Sequence, residues 1–182
     1  MNAIAKNIVL IGYRGTGKTT VARALAERLG WQWLDADVEL ETRAGCSIAD
    51  MFATAGEAAF RDLESQLLAE FIERPKLVLA TGGGVVLRDA NRRLLEQAGM
   101  VVWLEADIDT LAQRVSADAA TAGRRPNLTA HGGRLEIERL LAEREPLYRQ
   151  CAGLTIHTPG RSPDEIAAAI AEQLAGLGWS AS

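Results

Sequence analysis

Ile8-Val9-Leu10-Ile11-Gly12-Tyr13-Arg14-Gly15-Thr16-Gly17-Lys18-Thr19-Thr20-Val21 decides the fold of this chain. A short apolar run breaks at a glycine, and Gly12 to Thr19 then fits G-x-x-x-x-G-K-[ST] at the start of an amphipathic helix pattern. The glycines Gly12, Gly15 and Gly17 let backbone N–H groups converge on phosphate oxygens, and the helix that follows adds the positive end of its dipole. In such a cradle Lys18 reaches the outer phosphates and the Thr19 hydroxyl ligates magnesium. The structural alternative is a glycine-rich strand-to-helix turn with no ligand. The pattern fixes nucleotide binding but not the reaction, since GTPases, ATPases and kinases share it.

Outward from this stretch, short apolar runs alternate with helix-period segments. The runs predict strands over Asn7 to Ile11, Trp31 to Leu34, Lys76 to Ala80, Met100 to Leu104 and Leu154 to Thr158. Helix patterns cover Lys18 to Leu29, Glu57 to Glu73, Ala90 to Ala98, Asp107 to Ala117, Leu135 to Glu143 and Pro163 to Leu174, with Pro163 placed as a first-turn residue. This is the order of an α/β fold: a five-stranded parallel sheet flanked by helices in three layers. Asp37 to Gly56 reads as short helical pieces, longer than a simple crossover needs. Ser116 to Arg134 has Gly, Pro and charge without apolar periodicity, the mark of a mobile loop. The end of the chain, from 177 to 182, reads as a frayed tail, and the whole as one domain.

The chain has 182 residues, 48% of them hydrophobic and 24% charged, with a net charge of -4. That balance argues against a general nucleic-acid or membrane-surface binder and for a small-molecule partner. Seventeen arginines against three lysines suit recognition of carboxylate or phosphate, although a GC-rich coding sequence gives the same bias. Cys46 and Cys151 stand in no metal-ligand or paired spacing, so both are expected to be reduced, buried thiols. The apolar run before Gly12 is too short for a signal core or a membrane span, so a cytoplasmic location is expected. No guanine-recognition signature of the NKxD type is present, which favours a small kinase.

Three further patterns bear on the acceptor. Leu34-Asp35-Ala36-Asp37 puts two carboxylates at a strand's carboxyl end, where ligands gather in open α/β sheets. On an extended segment both would face the same way, one towards a metal and one towards an acceptor hydroxyl; an acidic helix cap plus a solvated charge is the alternative. Gly82-Gly83-Gly84 after the third strand lets backbone approach an oxyanion, or simply makes a tight turn. Arg61 stands where one helix pattern opens and Arg144 where another ends, and a lone arginine on a helix is ordinarily solvated.

Taken together, GYRGTGKT (12–19), LDADVELE (34–41), GCSIADMFATAGEAAFRDLE (45–64), VLATGGGVV (78–86), GRRPNL (123–128) and EREPLYR (143–149) resemble the shikimate kinase family, over about Asn7 to Ile170. The resemblance implies ATP with Mg2+ at Gly15, Thr16, Gly17, Lys18, Thr19 and Thr20, with Thr19 and Asp35 around the metal. It implies shikimate held at its hydroxyls by Asp37, and at its carboxylate by Arg61, Arg144 and the Gly82-Gly83-Gly84 backbone. Residues 36–62 become the acceptor-binding insertion and 116–134 a lid. Lys18, Asp37 and the lid residue Arg125 become catalytic. Arg114 and Arg125 would serve the ATP phosphates, and Arg161 would lie against adenine. Transfer of the γ-phosphate to the 3-hydroxyl of shikimate by a monomer is the expected activity, a step towards chorismate and the aromatic amino acids. Asn127 and Pro159-Gly160 depart from the family's usual residues, which bears on lid packing and nucleotide preference. The rival readings are a related kinase acting on gluconate or a nucleoside monophosphate, and a nucleotide-sensing module without activity; the intact Lys18, Thr19 and Asp35 argue against the latter.

Overall fold

All four residues of β1, Ile8–Ile11, are fully buried, as a continuous apolar run must be when both faces of a parallel sheet are covered. In the computed structural model, which describes residues 7–117 and 133–179, the chain continues through α1 (Lys18–Leu29), β2 (Gln32–Asp35), α2 (Ala36–Ala44), α3 (Ile48–Thr54) and α4 (Gly56–Ile72). β3 (Leu77–Ala80), a 3-10 turn (Val85–Leu87), α5 (Asp89–Gln97), β4 (Met100–Glu105) and α6 (Ile108–Ala117) follow, and then α7 (Gly133–Cys151), β5 (Leu154–His157) and α8 (Pro163–Gly176). The strands form one parallel sheet in the order β2-β3-β1-β4-β5. β1 is central, so the chain leaves it in both directions and its carboxyl end opens a crevice.

Side chains alternate between two cores as the pleat demands. Val9, Ile11, Leu77, Leu79, Val101 and Trp103 pack with α4, α5 and Tyr148 of α7. Ile8, Leu10, Val78, Ala80, Val102 and Leu104 face α1 and α8. A third cluster of Tyr13, Ala106, Leu111, Ile137 and Leu140 fastens the loop after β1 to α6 and α7. The expected strands and α1 appear within one or two residues of their sequence bounds. The stretch after Asp37 resolves into α2 and α3, and Arg43 ties α2 to α4 through Glu70, which Arg74 also holds at 2.6 Å. These two guanidiniums pull the exposed Glu70 carboxyl down to about 2.

Three expectations are corrected. α7 does not end at Glu143 but runs through Pro146 to Cys151. Proline removes one helical donor, and burial of Arg144 and Tyr148 on the inner face of the helix outweighs that loss. The tail is anchored as far as Trp179, whose N–H bonds the Leu174 carbonyl at 2.9 Å and whose ring lies 6.0 Å from that of Trp31. Cys46 and Cys151 are free but only partly buried.

Gly12 shows how tightly β1 and β4 meet at the crevice. Its φ is +141°, and a Cβ there would fall 2.4 Å from the Leu104 carbonyl oxygen. Gly12→Ala is therefore expected to destabilise the protein by about 1–3 kcal/mol and to weaken nucleotide binding with it. A urea midpoint and ATP affinity equal to those of the parent would contradict this packing.

Candidate functional site

The loop from Gly12 to Lys18 is shaped by its own side chains before any ligand enters. Thr16, almost fully buried, donates its hydroxyl to the Tyr13 carbonyl at 2.9 Å. Lys18 turns its ammonium back across the loop, donating to the Gly12 and Tyr13 carbonyls at 2.8 Å each. Gly17 caps α1 in the left-handed region, and no side chain among the described residues caps that end. The first-turn amides of α1 thus point into the cradle with the helix dipole behind them, an anion site by construction. Arg114 on α6 donates to the Gly15 carbonyl at 3.2 Å and to the Thr158 hydroxyl at 3.4 Å. It braces the cradle against the loop after β5, where exposed Arg161 donates its N–H to the Thr158 carbonyl at 3.3 Å.

Asp35 joins this cradle to the next element. One carboxylate oxygen receives the Thr19 hydroxyl, and the other receives the N–H groups of Asp37 at 2.9 Å and Val38 at 3.3 Å. The sequence expectation of two carboxylates on one extended face is corrected here. Asp35 ends β2 and caps α2, so Asp37 is presented from the first turn of a helix. Thr19 and Asp35 are hard oxygen donors in mutual contact at the mouth of the cradle, a fit for a divalent cation that also takes phosphate oxygens. No group of three or more His, Cys, Asp or Glu side chains able to hold a metal occurs among the described residues. A cation here would complete its shell with nucleotide phosphates and water.

On the other side of the crevice, Tyr13, Arg14, Asp37, Phe60, Arg61, Glu64, Gly82, Gly83, Gly84 and Arg144 line one cleft with residues of α3, α6 and α7. Four of its charged groups, Asp37, Arg61, Glu64 and Arg144, are each nine-tenths or more buried. Arg61 lies over the Phe60 ring, its guanidinium carbon 4.9 Å from the centroid, and donates to Glu64 at 2.8 Å. A Cβ on Gly84 would meet the Arg61 guanidinium at 2.6 Å, and one on Gly82 would meet the Asp37 carboxylate at 2.8 Å. Backbone here comes closer to the charged groups than any side chain could allow. Arg144 is set over the Tyr13 ring at 5.8 Å, with its Nη1 beside Gly83. Tyr148 donates its buried hydroxyl to the Gly83 carbonyl and so fixes the glycine turn to α7. Burial pushes the Tyr148 and Tyr13 phenols above their usual range, so both stay protonated donors.

The structure brings Lys18, Thr19, Asp35, Asp37, Arg61, Arg144 and the three glycines to one crevice and sets Arg114 against the cradle. Arg125 and most of the segment 116–134 lie outside the described residues. Glu64, Tyr13, Arg14 and Tyr148 were not anticipated. Glu64 could have been found from its spacing, since a carboxylate three residues after Arg61 shares its helix face.

A family model described as shikimate kinase matches residues 14–175. The shikimate kinase of Rhodopirellula baltica is 46% identical over 161 residues, covering 88% of this chain and 86% of that protein. That of Pseudomonas fluorescens is 40% identical over 172 residues, covering 94% and 98%. The solved shikimate kinase of Acinetobacter baumannii, in complex with shikimate, superposes with a TM-score of 0.90 at 38% identity over 96% of each chain. A gluconokinase from Sinorhizobium meliloti, at 18% identity and a TM-score of 0.51, shares the fold alone.

Tyr148→Phe removes a buried donor that holds the Gly83 carbonyl to α7, a loss of about 1–3 kcal/mol. The variant should unfold at lower denaturant concentration and bind the cleft's ligand more weakly, with ATP affinity unchanged. Equal weakening of both ligands would show that the turn is not local to the cleft.

Proposed function

This chain belongs to the shikimate kinase family, and from that premise we propose that it transfers the γ-phosphate of ATP to the 3-hydroxyl of shikimate, giving shikimate 3-phosphate and ADP. The observation that carries this reading is the placement of a phosphate cradle and a doubly cationic, carboxylate-bearing cleft on adjoining strand ends of one crevice. Arg61 and Arg144 match a compact ligand carboxylate, because each guanidinium offers paired, charge-assisted donors from a site with little water. Asp37, between cradle and cleft, is placed to take the hydrogen bond of the attacking hydroxyl and orient it in line. Lys18 can swing from the loop carbonyls to the transferred phosphate, where a point charge offsets the negative charge of the transition state. Gly15 to Thr20 hold the nucleotide, Arg114 supports it and Arg161 lies towards its base.

Thr19 and Asp35 would hold the Mg2+ that we assign to this site, and its charge would offset that of the nucleotide phosphates. The whole chain would act as one kinase domain, with residues 36–62 forming the acceptor side. No helix among the described residues is long and apolar enough to cross a membrane; we propose a cytoplasmic monomer that supplies the aromatic branch of metabolism.

ADP release measured with shikimate, gluconate and nucleoside monophosphates in turn tests the assignment. Shikimate should be the preferred acceptor by a wide margin, and faster turnover of gluconate or a nucleotide would refute it. Lys18→Ala should lower kcat by about 10²–10³-fold with the fold retained, and near-parental activity would remove the lysine from the mechanism. Arg144→Met breaks a buried charge pair with the ligand, a loss of about 2–5 kcal/mol. KM for shikimate should therefore rise thirtyfold or more while KM for ATP stays close to that of the parent.

A further inference from the structure

Glu64 is the carboxylate that the mechanism above leaves unused. It lies three residues after Arg61 on α4 and is only 6% exposed. Its Oε2 accepts the 2.8 Å hydrogen bond of Arg61, whereas its Oε1 is buried with no hydrogen-bond partner among the described residues. That second oxygen lies against Gly82: a Cβ there would sit 3.1 Å from Glu64 Oε1 and 2.8 Å from an Asp37 carboxylate oxygen. Glu64 and Asp37 therefore approach the same glycine.

Charged groups reach Glu64 from several elements. From α4 come Arg61 and, also paired with that arginine at 3.3 Å, Glu57. α7 contributes Arg144, and Arg88, which pairs with Asp62 at 2.7 Å, approaches from the segment before α5; Asp37 of α2 meets the same Gly82 position. Arg14 of the loop after β1 and Glu136 of α7 line the same cleft. Before any acceptor arrives, the inner cleft sets Asp37 and Glu64 against Arg61 and Arg144. A ligand carboxylate then adds a third negative charge to that pair of buried guanidiniums.

We propose that Glu64 is the proton-uptake site of acceptor binding: when the ligand carboxylate docks on Arg61 and Arg144, Glu64 Oε1 takes one proton from solvent and its new O–H bond is donated to Asp37 across Gly82. The inference rests on the carboxylate-acceptor reading given above. One O–H bond forms and none breaks within the protein, and the buried oxygen that lacks a partner gains one.

Burial already pushes the Glu64 carboxyl above its usual range, against the opposing pull of Arg61. The ligand carboxylate adds negative charge and draws on the same guanidinium, so binding raises that value further. Between the free and the bound value the complex holds a proton that the free protein lacks. Shikimate affinity should therefore be flat at low pH, fall as pH rises through that window by at most about tenfold per pH unit, and flatten again above it.

Calorimetric titration of the full chain with shikimate, in buffers of different ionisation enthalpy across mildly acidic to mildly alkaline pH, reads this directly. The expected result is uptake of up to one proton per shikimate within the window, and pH-independent binding without uptake in Glu64→Gln. Shikimate binding with no proton exchange at any pH would overturn the inference alone, as would undiminished uptake in Glu64→Gln. Should that variant fail to fold, the methyl ester of shikimate serves with the parent protein: its uncharged end should bind without uptake, and uptake equal to that of shikimate would refute the proposal. Absence of any shikimate binding would overturn the acceptor reading itself.

Discussion

The carboxylate of Asp35 is divided between two structures, and the geometry of the whole crevice follows from that division. One oxygen receives the Thr19 hydroxyl from the first turn of α1, and the other closes the first turn of α2. The same group therefore sets the distance between the phosphate cradle and Asp37. A helix cap contributes about 1 kcal/mol, small beside the packing of the two cores, yet it decides where a buried carboxylate points. Because β2 and β3 are paired in register up to Asp35 and Ala80, the glycine turn that follows β3 arrives beside that carboxylate without further adjustment.

The cleft costs stability for what it can do. Asp37, Arg61, Glu64 and Arg144 are withdrawn from water, and buried ion pairs recover that desolvation poorly. Fixed charges in such a place need little reorganisation when a ligand or a developing phosphate charge appears, which is where preorganised electrostatics are most effective. Aromatic rings and backbone take the place of solvent: Phe60 beneath Arg61, Tyr13 beneath Arg144, and the Gly83 carbonyl held by Tyr148. The balance of two acids against two arginines leaves the cleft close to neutral, so an anionic ligand changes its charge state.

Much of this was legible in the sequence because local pattern and global fold agree. The apolar runs place all five strands, and the glycines and Lys18 identify the loop that only a parallel sheet edge can present. What escaped was set by tertiary contact. The apolar period of α7 fades at Glu143, but the helix continues through Pro146, where the cost of one missing donor is outweighed by burying Tyr148 on the turn that follows. Asp37 reads as a strand residue facing with Asp35, whereas capping by Asp35 starts a helix one residue earlier than an extended reading allows. Glu64 is one of several acids on the α4 pattern; its place in the cleft depends on Gly82, which the pairing of β3 with β2 carries to Asp37. Trp179 read as part of a tail, since nothing local announces that Trp31 waits for it.

If this crevice joins a donor phosphate to one hydroxyl of a cyclic carboxylate, the product itself carries the proof. Phosphorus NMR of a reaction with ATP, magnesium and shikimate should show a single new phosphomonoester, coupled to the proton on carbon 3, appearing in step with ADP. Release of inorganic phosphate with shikimate unchanged, or an ester at another hydroxyl, would contradict the account.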